Sequence, residues 1–114
     1  MQTIHTTISL EELKKMSEAM FGSLVKAVVD IEQEIMVVNA VLHSDQEEYL
    51  LEQGSLQNNL WGINLHPDAF GTDKFIEFDS MINLRPGSGN RSRGVDDPEI
   101  QQRIRTIVAR RVSQ

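Results

Sequence analysis

Arg85, Arg91 and Arg93 stand among glycines in "NLRPGSGNRSRGVDD", close in sequence to Glu77, Asp79, Asp96 and Asp97. A guanidinium presents a planar fork of donors that suits carboxylates and phosphates alike. Two uses follow from that chemistry. The arginines can tether the loop to the protein's own acids, or they can offer charge to an anionic ligand or partner. Arg85 ends an apolar stretch and is expected to be structural. Arg91 and Arg93 lie beyond glycines and are expected to be free for a partner, with Asn90 beside them.

A second polar group comes from alternation. In residues 60–66, Trp61, Ile63 and Leu65 alternate with Leu60, Gly62, Asn64 and His66; in 75–85, Ile76, Phe78, Ile82 and Leu84 alternate with Glu77, Asp79, Asn83 and Arg85. Period-two patterning implies two antiparallel strands with one buried and one wet face. The wet face should then gather Asn64, His66, Glu77, Asp79, Asn83 and Arg85. Pairing across the 67–74 loop sets Asn64 near Glu77 and Gly62 near Asp79, leaving an open spot beside a carboxylate. Ser80 falls on the apolar side and reads as packed.

Other chemistries find less support. "GSGNRSRG" joins a strand to a helix, but it lacks the Gly-Lys-Ser/Thr ending of a Walker loop and the third glycine of a dinucleotide fingerprint. Asp96, Asp97 and Glu99 would also compete with a phosphate for the helix N-terminus. His5, His43 and His66 are scattered, with no pair at helical spacing, so no metal site and no cofactor is expected. Nothing marks an activated nucleophile.

The elements that must position these groups are read as follows. "ISLEELKKMSEAMFG" is a helix with Ser9 and Glu12 as a capping box, Ile8 and Leu13 as a staple, and Gly22 as the stop. In residues 24–38, Leu24, Val28, Ile31, Ile35 and Val38 fall at helical spacing, which predicts a second helix and hence a helical hairpin. Residues 41–53 carry both a capping box (Ser44, Glu47) ahead of Gly54 and a strand-like "EEYLLEQGS"; short strands are the favoured reading. Asp97 and Pro98 open a last helix with an Ile100, Ile104, Ile107, Val108 stripe. Its Arg110 and Arg111 suit the negative end of the helix dipole. The expectation is a single α+β domain over 1–114. Its two layers place the helical hairpin and the C-terminal helix on one face of a small antiparallel sheet.

Composition bounds the rest. A chain of 114 residues suits one core, and no apolar run approaches a membrane span. There is no cysteine, so packing alone holds the fold; with no signal-peptide pattern, a cytoplasmic location is expected. The formal net charge is −6, yet seven arginines lie from Arg85 onward against Asp96, Asp97 and Glu99. Bulk acidity repels nucleic acid and disfavours it as a partner, leaving only the C-terminal third open to it. A symmetric homodimer is a fair expectation.

"LVKAVVDIE", "NLWGINL", "IEFDSMINLRP" and "GNRSRGVDDPEI" resemble a family of small prokaryotic proteins known only as a domain of unknown function. The resemblance covers nearly the whole chain and implies that Trp61, Glu77, Ser80, Asn83, Arg85, Asn90 and Arg91 belong to a family pattern. Asn39-Ala40 stands where that pattern carries two glycines. The resemblance implies no activity. A helical hairpin followed by antiparallel strands is also the layout of RelE/ParE-type toxins, an analogy of fold alone, and those toxins are typically basic. Two function classes remain. One is a binding module for a protein or an anionic ligand. The other is an enzyme on a phosphate-bearing or nucleic-acid substrate, with Glu77, Asp79 or His66 as acid and base.

Overall fold

A computed structural model describes residues 1–114. It is an α+β fold whose main sheet has five antiparallel strands in the order β1-β4-β3-β5-β6. These are β1 (Gln2–Ile4), β3 (Val25–Asp30), β4 (Ile35–Val38), β5 (Leu60–Leu65) and β6 (Ile76–Glu77). The short strands β2 (Ile8–Ser9) and β7 (Val112–Ser113) form a separate parallel pair. The helices are α1 (Leu10–Met20), α2 (His43–Glu52) and α3 (Pro98–Arg111).

α1 and α3 form as their sequences dictate. Ser9 caps α1 by accepting the Glu12 N–H at 3.1 Å, and Gly22 takes a φ of 90° beyond its end. Asp97 caps α3 by accepting the Glu99 N–H at 2.9 Å, with Pro98 in the first turn. Leu13 from α1 and Ile104, Ile107 and Val108 from α3 pack on Val25, Ala27, Val29, Met36, Trp61, Ile63, Leu65 and Ile76. Phe78 is partly buried against the same core.

The expected second helix is instead the β3–β4 hairpin. Asp30 makes the turn: its Oδ1 accepts the N–H groups of Glu32 and Gln33 at 2.9 and 3.0 Å, and its Oδ2 accepts Ser55 Oγ–H at 2.7 Å. Glu34 completes it at a φ of 57°, where glycine or asparagine would be the usual signal. β3 is central and buried on both faces, so its apolar residues run nearly unbroken and hide the strand period. Arg103 and Arg111 bond the Ile31 and Glu34 carbonyls, and Arg110 pairs with Glu34 at 2.7 Å, so α3 clamps this turn. Asn39, where the family pattern suggested glycine, has a φ of 69°.

Residues 41–53 form a helix rather than short strands. α2 packs on the opposite sheet face from α1 and α3, where Leu50 and half-buried Tyr49 meet Val28, Val37, Leu60 and Ile82. The sheet is thus covered on both sides, which replaces the helical hairpin and the single covered face. The layout shared with RelE/ParE-type toxins disappears with that hairpin. α2 was hard to read because its buried stripe is His43, Gln46 and Leu50, two of them polar. Gln46 Nε2 donates to the Lys26 and Val37 carbonyls at 2.8 and 3.3 Å, and His43 Nε2 to the Ile63 carbonyl at 2.8 Å.

The strand expected over 75–85 ends at Glu77. Ser80 Oγ accepts the Ile82 N–H and starts a 3-10 turn over Met81–Asn83, which turns Ile82 toward α2 and leaves Leu84 exposed.

Candidate functional site

The face of the sheet beneath α2 carries a transverse row. Lys26 of β3 pairs with Asn64 of β5, and Asn64 with Glu77 of β6, so the three side chains lie side by side. The loop after β6 folds back so that the Ser80 N–H donates to the Arg93 carbonyl at 2.9 Å. Arg93 Nε then meets Asp79 Oδ1 at 2.7 Å, a half-exposed pair. α2 closes the other side with His43 and Ser44. Between them lies a groove of about 410 Å³, with exposed Phe21, Leu42 and Met81 at its edge.

Several groups in this groove lack partners. Asn64 is 7% exposed; its Nδ2 donates to Glu77 Oε1 at 3.0 Å and to the Asp79 carbonyl at 3.2 Å, but its Oδ1 accepts nothing from the protein. Such an orphaned, inaccessible acceptor costs the fold free energy. No side chain caps the first turn of α2, so its N–H groups stay available. Lys26 has no carboxylate partner; its ammonium lies 5.4 Å from the centre of the Phe21 ring. His43 spends Nε2 on Ile63, leaving Nδ1 as a lone-pair acceptor. Burial lowers the His43 pKa, with the Lys26 charge acting the same way and the Ile63 hydrogen bond opposing both.

The nine residues singled out from sequence divide between this groove and the frame around it. Asn64, Glu77, Asp79 and Arg93 line the groove. His66 lies at its outer side, with Nε2 3.1 Å from Glu77 Oε1. Asn83 is fully buried and serves the backbone: its amide bonds both the N–H and the carbonyl of Gly62 at 2.9 Å and the Arg93 carbonyl at 3.0 Å. Asn90 is a second staple, donating to the carbonyls of Asn83, Ser92 and Gly94 and accepting the Asp96 N–H. Arg85 is mostly buried: it bonds the Ile82 and Leu60 carbonyls, stacks 4.7 Å from the Trp61 ring centre and lies 3.9 Å from Glu47. Only its backbone N–H engages Arg91, to Asp96 at 2.7 Å; its side chain is exposed and makes no ion pair.

Two expectations about this face change. The open spot expected at Gly62 is filled, since a Cβ there would stand 2.5 Å from Ser80 Cβ and Oγ. Asn83 and Arg85 leave the wet face because the strand that would have held them there stops at Glu77. Sequence reasoning missed Lys26 and His43, both assigned to elements that do not form as expected or left as scattered. The pairing of Asn64 with Glu77 was the legible part.

The groups present are suited to hydrogen bonding and charge recognition. No cluster of three or more His, Asp or Glu side chains is placed to hold a metal ion. No helix is long and apolar enough to cross a membrane. Fold and groove define an α+β domain with a polar cleft between one helix end and a sheet face. The chain belongs to the family described as "Protein of unknown function (DUF5674)", whose model matches residues 2–111. No curated protein and no solved structure matches it.

Proposed function

We propose that the protein is a binding module that takes a small anionic ligand in the groove between α2 and the β3–β5–β6 face. The observation that carries this reading is an unpaired cation, Lys26, lining the same groove as the uncapped N-terminus of α2. A helix N-terminus and a free ammonium both favour negative charge. His43 Nδ1 adds an acceptor, so the ligand should carry a hydroxyl or N–H donor besides its anionic group. Phe21, Leu42 and Met81 suit a short apolar body. A hydroxylated carboxylic acid of short chain meets all three demands.

Titration calorimetry tests the reading with a short-chain hydroxy acid, the parent acid without the hydroxyl, and inorganic phosphate. The hydroxy acid should bind tightest, and Lys26→Gln should weaken it several-fold, while Arg110→Gln on the far side should not. Absence of binding by all three, or binding indifferent to Lys26→Gln, would overturn the proposal.

A further inference from the structure

We infer that the protein pairs with a second copy of itself through the outer edge of β1, joining two five-stranded sheets into one. β1 bonds to β4 alone, so its other side meets no strand. Alternation fixes which groups face outward. The Asn39 N–H donates to the Lys26 carbonyl at 3.2 Å, so two residues further along the β3–β4 register Val28 and Val37 exchange bonds. The backbone groups of Met36 and Val38 therefore turn the other way, to Ile4 and Gln2 of β1. Thr3 lies between those two, and its N–H and carbonyl point outward from the edge. An open pair of this kind is a template for another strand.

The opposite end of the sheet is closed. Asn83 bonds the outward backbone groups of Gly62, Arg85 bonds the Leu60 carbonyl, and β6 is only two residues long beside Lys74. β1 has no such cover: Gln2, Thr3 and Ile4 include no charge and no proline, and their register with β4 is unbroken. The occupant is another copy because this edge is complementary to itself. With a two-fold axis at Thr3, each Thr3 N–H meets the carbonyl of the other Thr3, and Gln2 stands across from Ile4 of the second copy. The flank on the α2 side is neutral as well. A groove of about 160 Å³ beside Thr3 is lined by His5, Gln33, Ile35, Tyr49 and Gln53 among others, with no carboxylate, lysine or arginine. In a chain of formal net charge −6, two copies meet little repulsion along a neutral edge. Ile4 is 3% exposed and Arg111 bonds the Thr6 carbonyl, so the edge is held in place before a partner arrives. The strand is short, so the dimer should be reversible.

Residue 3 faces itself in this arrangement, which makes it the position to test. Sedimentation velocity over a range of concentrations should show a reversible monomer–dimer equilibrium for the parent chain. Thr3→Lys and Thr3→Glu each set like charges across the axis and should weaken the dimer at least about tenfold. An equimolar mixture of the two variants sets opposite charges there and should restore it. The chain has no cysteine, so Thr3→Cys gives a second measurement that needs no loss of binding. Facing Cα atoms in such a pair stand about 5.5 Å apart, within reach of a disulfide, so mild oxidation should link two copies. Asp73→Cys, exposed in the loop before β6 at the other end of the sheet, should stay unlinked. A parent chain monomeric at every concentration, a dimer that withstands both charged variants, no recovery on mixing, or oxidation that links Asp73→Cys as readily as Thr3→Cys would each overturn the inference. The readout is independent of the α2 groove, so failure here leaves the proposed function standing.

Discussion

The side-chain amide of Asn83 bonds both the N–H and the carbonyl of Gly62, each at 2.9 Å, in the place where the next strand residue would have paired. β6 stops at Glu77, and one asparagine completes the edge of β5 in its stead. This joint fixes where the 79–93 loop can lie and so sets one wall of the groove.

Gly62→Ala should therefore be costly. Its new Cβ would collide with Ser80, and overpacking of this kind typically costs about 1–3 kcal/mol. Ser80→Gly removes the obstacle, so the double variant should recover part of the loss. Denaturant unfolding of the two single variants and the pair measures this as a non-additive cycle. Additive losses would mean that the two side chains do not meet.

The arginines should separate by burial. Arg85→Ala removes two backbone hydrogen bonds and the stack on Trp61, and leaves Glu47 without its cation; a loss of roughly 2–4 kcal/mol is expected. Arg93→Ala breaks an exposed pair worth only about 0–1 kcal/mol. Arg91→Ala should stay within about 0.5 kcal/mol of the parent, because its side chain bonds to nothing. Thermal and urea unfolding of the three variants checks this order, and a destabilised Arg91→Ala would reverse it.

How much of this was legible can be judged from particular residues. Ser9, Gly22, Asp97 and Pro98 mark helix ends through local chemistry, and local chemistry is what a sequence displays. The Asn64–Glu77 register followed from alternation together with pairing across the 67–74 loop. The β3–β4 hairpin did not, because a strand buried on both faces shows no period and Glu34 occupies the left-handed position without announcing it. α2 was hidden by meeting the sheet through His43 and Gln46. Asn83 and Asn90 read as polar surface because their bonds go to backbone groups that only the folded loop brings near. Such long-range satisfaction leaves no mark in composition or spacing.

Acid should weaken the fold through His43. Its folded pKa lies below the ordinary histidine value, chiefly because it is buried. Between those two values the unfolded chain binds a proton that the folded one does not, so stability rises with pH there. The melting temperature should fall as pH drops from neutral through the histidine range, then level off once the folded pKa is passed. His43→Gln keeps a donor for the Ile63 carbonyl and should flatten that part of the profile. An unchanged slope in the variant would assign the effect elsewhere. Asp96 acts in a separate, more acidic window, where protonation removes its bonds to Ser92 and Arg91.

The turn of the β3–β4 hairpin should depend on one carboxylate. Asp30 is 1% exposed and accepts two backbone N–H groups along with Ser55 and Gln33. Asp30→Ala should cost on the order of 3 kcal/mol, since several buried donors lose their acceptor together. Chemical denaturation gives the value, and a loss below about 1 kcal/mol would show that the α3 arginines alone hold the turn.

The claim that the α2 groove is a binding site is tested most directly by an amide chemical-shift footprint. A short-chain hydroxy acid is titrated into the ¹⁵N-labelled protein, and every backbone and side-chain amide is followed. The largest saturable shifts should fall on the backbone amides of Ser44 and Asp45, in the uncapped first turn of α2, and on the side-chain amide of Asn64. Shifts centred elsewhere, such as the Arg110 face of α3, or none that saturate, would contradict the account.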